Sequence, residues 1–360
     1  MNIQAQYGPL RDEVNAAIMG VVDTGHFILG PEGKALEASV GERLGRPAAG
    51  VANGTDALVL ALRALDIGAG DEVITTPYTF YATAEAIARV GATPVFADID
   101  PLTYCLDPAE VEKRITSATR ALLPVHIFGH AAPMGPLMDL AKAHDLSVVE
   151  DAAQAFGART GDGEIATFGD LATFSFFPTK NFPGFGDGGM VVCSSEELLE
   201  RVKRLRFHGS KDKVVFTEVG YNSRLDDLQA AVIRVFLPHL DNWNEKRAQA
   251  AAWYAEAGLG EHMIVPAVGD GCNHTYHLFM ARSEKRDQIQ AALREKSIGA
   301  AVYYGIPMHL QPVFAHLGYS EGDFPIAEEC AGTGLALPMH PNLTRDDVDT
   351  VVAAVAAALR

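Results

Sequence analysis

Positive charge is scarce in this sequence, and so are cysteine and long apolar runs. The 360 residues carry 29 Lys and Arg against 46 Asp and Glu, a formal net charge of −17. A surface that acidic repels nucleic acid and anionic membranes, so neither is expected as a partner. A local basic pocket for one anionic ligand stays open. Only four cysteines occur, Cys105, Cys193, Cys272 and Cys330, and none form a C-x-x-C pair. That excludes a disulfide framework and a paired-cysteine metal site, so buried apolar thiols in a reduced compartment and no metal are expected. No run of about 18 apolar residues is present, and the opening MNIQAQYGPLRDEV has no basic n-region or apolar h-region. A soluble, cytoplasmic protein is expected. Internal repeats and low-complexity linkers are missing too.

What the chain does have is apolar mass, 48% of its residues, enough for a sizeable core. Its length suits one large α/β domain plus a smaller one. Residues 1–20 read as a helix, with Leu10, Val14, Ala17 and Ile18 at helical spacing. A second helix is expected near 32–45, after the loop TGHFILGPEG. Then a βα rhythm sets in. AGVANG precedes a helix over 55–66, DEVITTP one over 81–90, ATPVFADI one over 108–115 and TRALLPVHIFG one over 134–144. LSVVED and LATFSFF follow, and GGMVVCS precedes a helix over 195–206. Continuous apolar strands separated by helices predict a mostly parallel sheet covered on both faces. In such sheets ligands bind beyond the carboxyl ends of the strands. Asn53-Gly54-Thr55, Tyr78-Thr79-Phe80, Asp151 and Ser175–Lys180 fall there.

Past residue 210 the rhythm changes. A helix is expected from Arg224 into the 230s, interrupted by Pro238, and another from Leu240 to Ala257. HLFMAR, AAVYYG and LALPMH, with helices between them and a terminal helix in VDTVVAAVAAALR, suggest a smaller α+β domain. The expected division is 1–240 and 241–360, with no flexible linker.

Chemistry concentrates around Lys180, which sits among Phe176, Phe177, Pro178 and Phe182. A desolvated lysine loses basicity, and its neutral amine can attack a carbonyl. A lysine stem packed on aromatics would look the same. Asp151 ends an apolar strand, where a carboxylate can hold a pyridine nitrogen protonated or simply cap a helix. Asn53-Gly54-Thr55-Asp56 opens a helix, whose free amides bind phosphate, or serves as a plain turn. Phe80 could stack on a ring or join the core. Each signal alone is soft. Together they form an anion cradle, a ring stacker, a ring-nitrogen partner and an amine at successive strand ends, which are the parts a pyridoxal-phosphate (PLP) enzyme needs.

The segments GPEGKALE, VANGTDAL, GDEVITTPYTFYATAEAI, VEDAAQAFGA, FSFFPTKNFPGFGDGG, VGYNSRLDDLQAA and LALPMHPNLT resemble, in order, the DegT/DnrJ/EryC1/StrS sugar aminotransferases. The likeness spans almost the whole chain. It implies the aspartate-aminotransferase-like PLP fold type I, and a homodimer with active sites shared across the interface. It implies that Lys180 binds PLP covalently as a Schiff base and shuttles a proton. Asp151 would pair with the ring nitrogen, Gln154 would lie near the ring hydroxyl and Phe80 would stack on the ring. Gly54, Thr55 and Ser175 would hold the phosphate, joined by Asn222 of the partner subunit. Arg224, Tyr303 and Tyr304 would lie near the substrate. Phe156 and Tyr303 stand where many relatives carry His, and Lys180 argues against the family's dehydratase branch.

The implied reaction moves an amino group from L-glutamate to a nucleotide-linked keto-sugar. NSRLDDLQAAVIRVFLPHLDNWNEKR is most similar to enzymes of 3-keto hexoses on dTDP or UDP. The alternatives are a 4-keto sugar aminotransferase, another fold type I PLP enzyme, or a catalytically silent regulator of this fold.

Overall fold

Apolar runs of four or five residues become strands wherever helices can cover both of their faces. In the computed structural model, which describes residues 6–269 and 271–360, they do so seven times before residue 200, and a pair of two-residue strands is added between the fifth and sixth of them. The strands are β1 (Ala48–Val51), β2 (Glu72–Thr75), β3 (Thr93–Phe96), β4 (Thr119–Leu123), β5 (Ser147–Asp151), β6 (Arg159–Thr160), β7 (Gly163–Glu164), β8 (Leu171–Ser175) and β9 (Gly189–Cys193). All but β6 and β7, which form a small hairpin, join one seven-stranded sheet in the order β1-β9-β8-β5-β4-β2-β3. Only β9 runs against the others, antiparallel to both β1 and β8. The fold is therefore α/β with a mostly parallel sheet, as expected.

The helix Gly54–Ala64 shows how completely the sheet is covered. Ala57 through Leu62 and Ala64 are all buried, because β8 and β9 lie on one side and the helices Ala82–Arg89 and Glu196–Leu205 on the other. Each large apolar side chain so buried contributes about 1.5–3 kcal/mol. Side-chain caps set where helices begin: Asn53 accepts from the Asp56 amide at 2.8 Å and Asp107 from the Ala109 amide at 2.8 Å. Each cap is worth about 1 kcal/mol.

Several expected boundaries move. The first helix runs Arg11–Thr24 behind a short turn at Gly8–Leu10, and residues 1–5 of the expected helix lie outside the described residues. The helix expected over 108–115 stops at Glu112. The helix expected from Arg224 starts at Asp227, because Asn222–Leu225 are extended. Pro238 sits in a 3-10 turn, Leu237–His239, between the helices Asp227–Phe236 and Leu240–Glu256. Cys272 is half-buried, unlike the other three cysteines.

Beyond that long helix, β10 (Phe279–Arg282) and β11 (Gly334–Leu337) form an antiparallel pair. The helices Arg286–Glu295 and Arg345–Ala358 pack with it around Tyr254, Phe279, Leu335 and Val352. AAVYYG is not a strand: only Ala301 pairs, with Ala336. The rest turns back toward the large sheet, where Tyr78 Oη donates to the Tyr303 carbonyl at 2.6 Å. Asp98 reaches the helix Pro325–Thr333 from the other side, accepting from the amides of Ile326 at 3.0 Å and Ala327 at 2.9 Å.

Candidate active site

The carboxyl ends of β1, β2, β5 and β8 lie on one edge of the sheet and deliver the residues singled out from sequence. Gly189, the first residue of β9, pairs with both Val51 and Ser175. It draws the Asn53-Gly54 turn against the end of β8. A Cβ on Gly189 would lie 2.4 Å from the Asn53 carbonyl oxygen, and one on Gly54 would lie 2.7 Å from Ser175 Cβ. Any larger residue would push apart the helix start and Ser175. The amides of Gly54 and Thr55, in the helix's first turn, have no intrahelical acceptor. With the Ser175 hydroxyl beside them they make a cradle for an anion.

Lys180 closes a turn after β8, its amide donating to the Phe177 carbonyl at 2.9 Å. The turn rests on an aromatic floor. Phe156 lies 4.3 Å from Phe174 and 4.8 Å from Phe182, centroid to centroid, and Asn181 ties the turn to the Phe156 carbonyl at 2.8 Å. Desolvation lowers the Lys180 pKa to about 8, with the Asp151 charge pulling weakly the other way. A substantial fraction of the amine is therefore neutral near physiological pH.

Asp151 is buried. One carboxylate oxygen accepts from the Thr83 hydroxyl at 2.8 Å and the other from the Ala153 amide at 3.2 Å. Burial pushes its pKa up, against the pull of Thr83, Ala153 and the charge on Lys180. No helix follows it, so Asp151 caps nothing.

Strand alternation turns the preceding residue, Glu150, to the opposite face. There its carboxylate accepts four hydrogen bonds: from the Ala166 amide at 2.8 Å, the Phe168 and Gly169 amides at 2.9 Å each, and His126 Nε2 at 3.1 Å. His126 Nδ1 accepts from the Ala132 amide at 2.9 Å, so the ring proton sits on Nε2. Burial works against the charge on Glu150, but His126 and the amides outweigh it and hold the pKa below the usual carboxylate range. The His126 amide in turn donates to the Asp151 carbonyl at 3.0 Å, fixing the backbone from which the Asp151 side chain projects.

Gln154 accepts from the Phe128 amide at 2.9 Å, which fixes its amide orientation, and donates to Tyr304 Oη at 3.1 Å. Its second N–H is left for a ligand. Phe80 is 53% exposed, its ring 6.2 Å from that of Tyr304, and Tyr303 is exposed beside it. Asn222 and Arg224 are different. Ser223 between them points inward, and its hydroxyl accepts from the Ala52 amide at 3.2 Å. Extended alternation turns the flanking side chains outward. The structure brings the other sequence-predicted residues to one edge, but among the described residues no side-chain hydrogen bond or ion pair joins these two to that set.

Sequence reasoning missed Thr83, His126, Glu150, Phe128 and the bridging role of Tyr78. Glu150 carried a signal, a carboxylate inside an apolar strand. His126 and Thr83 carried none, since their partners lie 24 and 68 residues away.

Comparison with known proteins agrees with this geometry. The family model for the DegT/DnrJ/EryC1/StrS aminotransferases matches residues 9–356. The chain belongs to that family. It is an aminotransferase. It is 45% identical over all of its length to a pleiotropic regulatory protein of Geobacillus stearothermophilus, covering 98% of that protein. It is 44% identical, again over all of its length, to UDP-N-acetyl-3-dehydro-alpha-D-glucosamine 3-aminotransferase of Acidithiobacillus ferrooxidans, covering 97% of that enzyme. Among solved structures, S. venezuelae DesV in complex with a ketimine intermediate matches with a TM-score of 0.96 and 44% identity, over 99% of this chain and 97% of that one. Aminotransferases of this family imply PLP. Its demands are a phosphate cradle, an acceptor for the ring nitrogen and a weakly basic amine. The Gly54–Ser175 contact, buried Asp151 and desolvated Lys180 fit all three. No helix among the described residues is long and apolar enough to cross a membrane.

Proposed function

We propose that this aminotransferase moves an amino group from L-glutamate to a nucleotide-linked keto-sugar, at C3 of a hexose carried on UDP or dTDP. The observation that carries this reading is the full-length likeness to an enzyme named for a UDP-linked 3-keto sugar. The site supports it. Phe80 and Tyr303 present exposed rings that suit a sugar and base.

In this reading Lys180 would hold PLP covalently and, once displaced by the incoming amino group, its free amine would take and return the proton at the substrate carbon. When bound, PLP supplies an electron sink for that carbon. Asp151 would hold the ring nitrogen protonated, Gln154 would use its free N–H toward the ring hydroxyl, and Phe80 would stack on the ring. Gly54, Thr55 and Ser175 hold the phosphate with Asn222 of the partner subunit, whose outward-facing position supports a shared site. Arg224, Tyr303 and Tyr304 meet the nucleotide-sugar, with Arg224 and helix N-termini giving local positive potential on an acidic molecule. The working unit is a cytoplasmic homodimer of two-part subunits, 1–240 and 241–360.

The test is a panel of UDP- and dTDP-linked 3-keto and 4-keto hexoses incubated with the PLP-loaded protein and L-glutamate, reading 2-oxoglutarate and the amino sugar. Turnover with 3-keto substrates is expected. Turnover confined to 4-keto substrates overturns the C3 assignment. A protein with no visible PLP band and no turnover would instead act as its Geobacillus relative's name suggests, as a regulator.

A further inference from the structure

Asp151 has a neighbour that no motif singled out. Thr83 stands in the first turn of the helix Ala82–Arg89, its hydroxyl 2.8 Å from Asp151 Oδ2. A carboxylate only accepts, so Thr83 donates, and its single proton is committed. In the 3.0 Å contact between the Thr79 and Thr83 hydroxyls, Thr79 must then be the donor. Both threonines are 1% exposed, so water does not compete. The direction of the relay is thereby set, from Thr79 through Thr83 to Asp151. A proton on Oδ2 would reverse the relay, with Thr83 donating to Thr79, and among the described residues the Thr79 proton would then have no acceptor. The relay thus works against burial, which favours the neutral acid.

Among the described residues, the other carboxylate oxygen is held only by the Ala153 amide at 3.2 Å. Without Thr83, Oδ2 would be free to rotate or to draw the ring proton onto itself. Resting on the reading above, in which Asp151 faces the PLP ring nitrogen, we infer that Thr83 is a positioning residue for that nitrogen: its hydroxyl, aimed by Thr79, holds Asp151 in one rotamer and as a carboxylate. The only bond at issue is the proton's own, N–H on the ring or O–H on Asp151. Nothing else is made or broken.

The experiment loads wild type, Thr83→Val, Thr83→Ser and Thr79→Val with PLP labelled with nitrogen-15 in the ring, and reads the ring-nitrogen chemical shift. Melting of each apoprotein monitors the fold. Wild type should show a protonated nitrogen. Thr83→Val keeps the shape and loses the donor, and the ratio of ring-protonated to Asp-protonated forms should shift about ten-fold toward Asp151, the worth of one charge-assisted hydrogen bond. Thr83→Ser should restore the wild-type signal. Thr79→Val should shift it in the same direction but less, since it removes only the bond that polarises Thr83. A purely packing role for Thr83 leaves the nitrogen signal unchanged, and that result, or a serine variant that restores nothing, overturns the inference. If Thr83→Val does not fold, an unchanged signal in Thr79→Val overturns it equally. A wild type whose ring nitrogen is unprotonated refutes the role of Asp151 itself, before any variant is compared.

Discussion

Glutamine in place of Glu150 changes one oxygen for an amide nitrogen and leaves the shape alone, so it isolates hydrogen-bond polarity. Phe168 and Gly169 donate to one carboxylate oxygen, and Ala166 and His126 to the other. Whichever way the new amide turns, its NH2 group faces two N–H donors. His126 cannot relieve the clash by moving its proton, because Nδ1 is already occupied by the Ala132 amide. Two buried donors lose their acceptor, at about 1–3 kcal/mol each, so roughly 4 kcal/mol of stability should vanish. Urea unfolding of the PLP-loaded protein at pH 7 measures this, as a lower midpoint at unchanged slope. The pH dependence has a definite sign. The pKa of Glu150 is depressed on folding, so its contribution is present above the ordinary glutamate range and fades as pH falls through the lower folded value. The gap between wild type and variant should therefore narrow in acid. A difference below about 1 kcal/mol at pH 7 would show that the carboxylate is not what these donors need. Cofactor affinity should fall as well, because His126 also fixes the Asp151 backbone.

Asp151→Asn should lose turnover roughly a hundred-fold or more while melting close to wild type, since Asp151 caps no helix; near-normal turnover would remove it from the chemistry. PLP uptake by the apoprotein, followed by its visible band, should rise with pH to half its maximum near pH 8, because the attacking amine must be neutral. A midpoint above pH 10 would mean that Lys180 is solvated like any surface lysine. Mixing a Lys180→Ala chain with an Asn222→Ala, Arg224→Ala chain under subunit exchange should recover about a quarter of wild-type activity, one intact site in each mixed dimer. No recovery, or a fully active monomer, would refute the shared site.

The βα rhythm was legible because each strand here is a short apolar run bounded by turn residues, and the strand ends led directly to Asn53, Asp151 and Lys180. The resemblance supplied Gln154, which no local pattern marks, and the phosphate-binding role of Ser175, whose place at a strand end the pattern had already given. What stayed hidden was pairing at a distance. AAVYYG has the β-branched and aromatic residues of a strand, yet its tyrosines are taken up by Tyr78 and Gln154 instead of by a neighbouring strand. The early start expected at Arg224 failed for a similar reason: Ser223 is held by Ala52 and Arg206, so the chain stays extended until Asp227. The capping role open to Asp151 dissolved because the residues after it bend into a turn that carries Gln154.

The contact beneath Tyr303 bears on how freely this protein can be recombined with its relatives. Tyr78 reaches from the end of β2 to the carbonyls of Tyr303 and Cys330, and its ring meets those of Phe128 and Tyr304. A Cβ on Gly334 would sit 3.0 Å from its hydroxyl and 2.7 Å from the Cys330 carbonyl oxygen. One phenol and one missing side chain are thus among the features that key the carboxy-terminal portion to the first half of the chain. A chimera that imported a new C-terminal segment to change sugar preference would have to import a glycine at 334 and a backbone that accepts Tyr78. Otherwise Tyr304 and Gln154, on the two sides of the graft, would no longer meet.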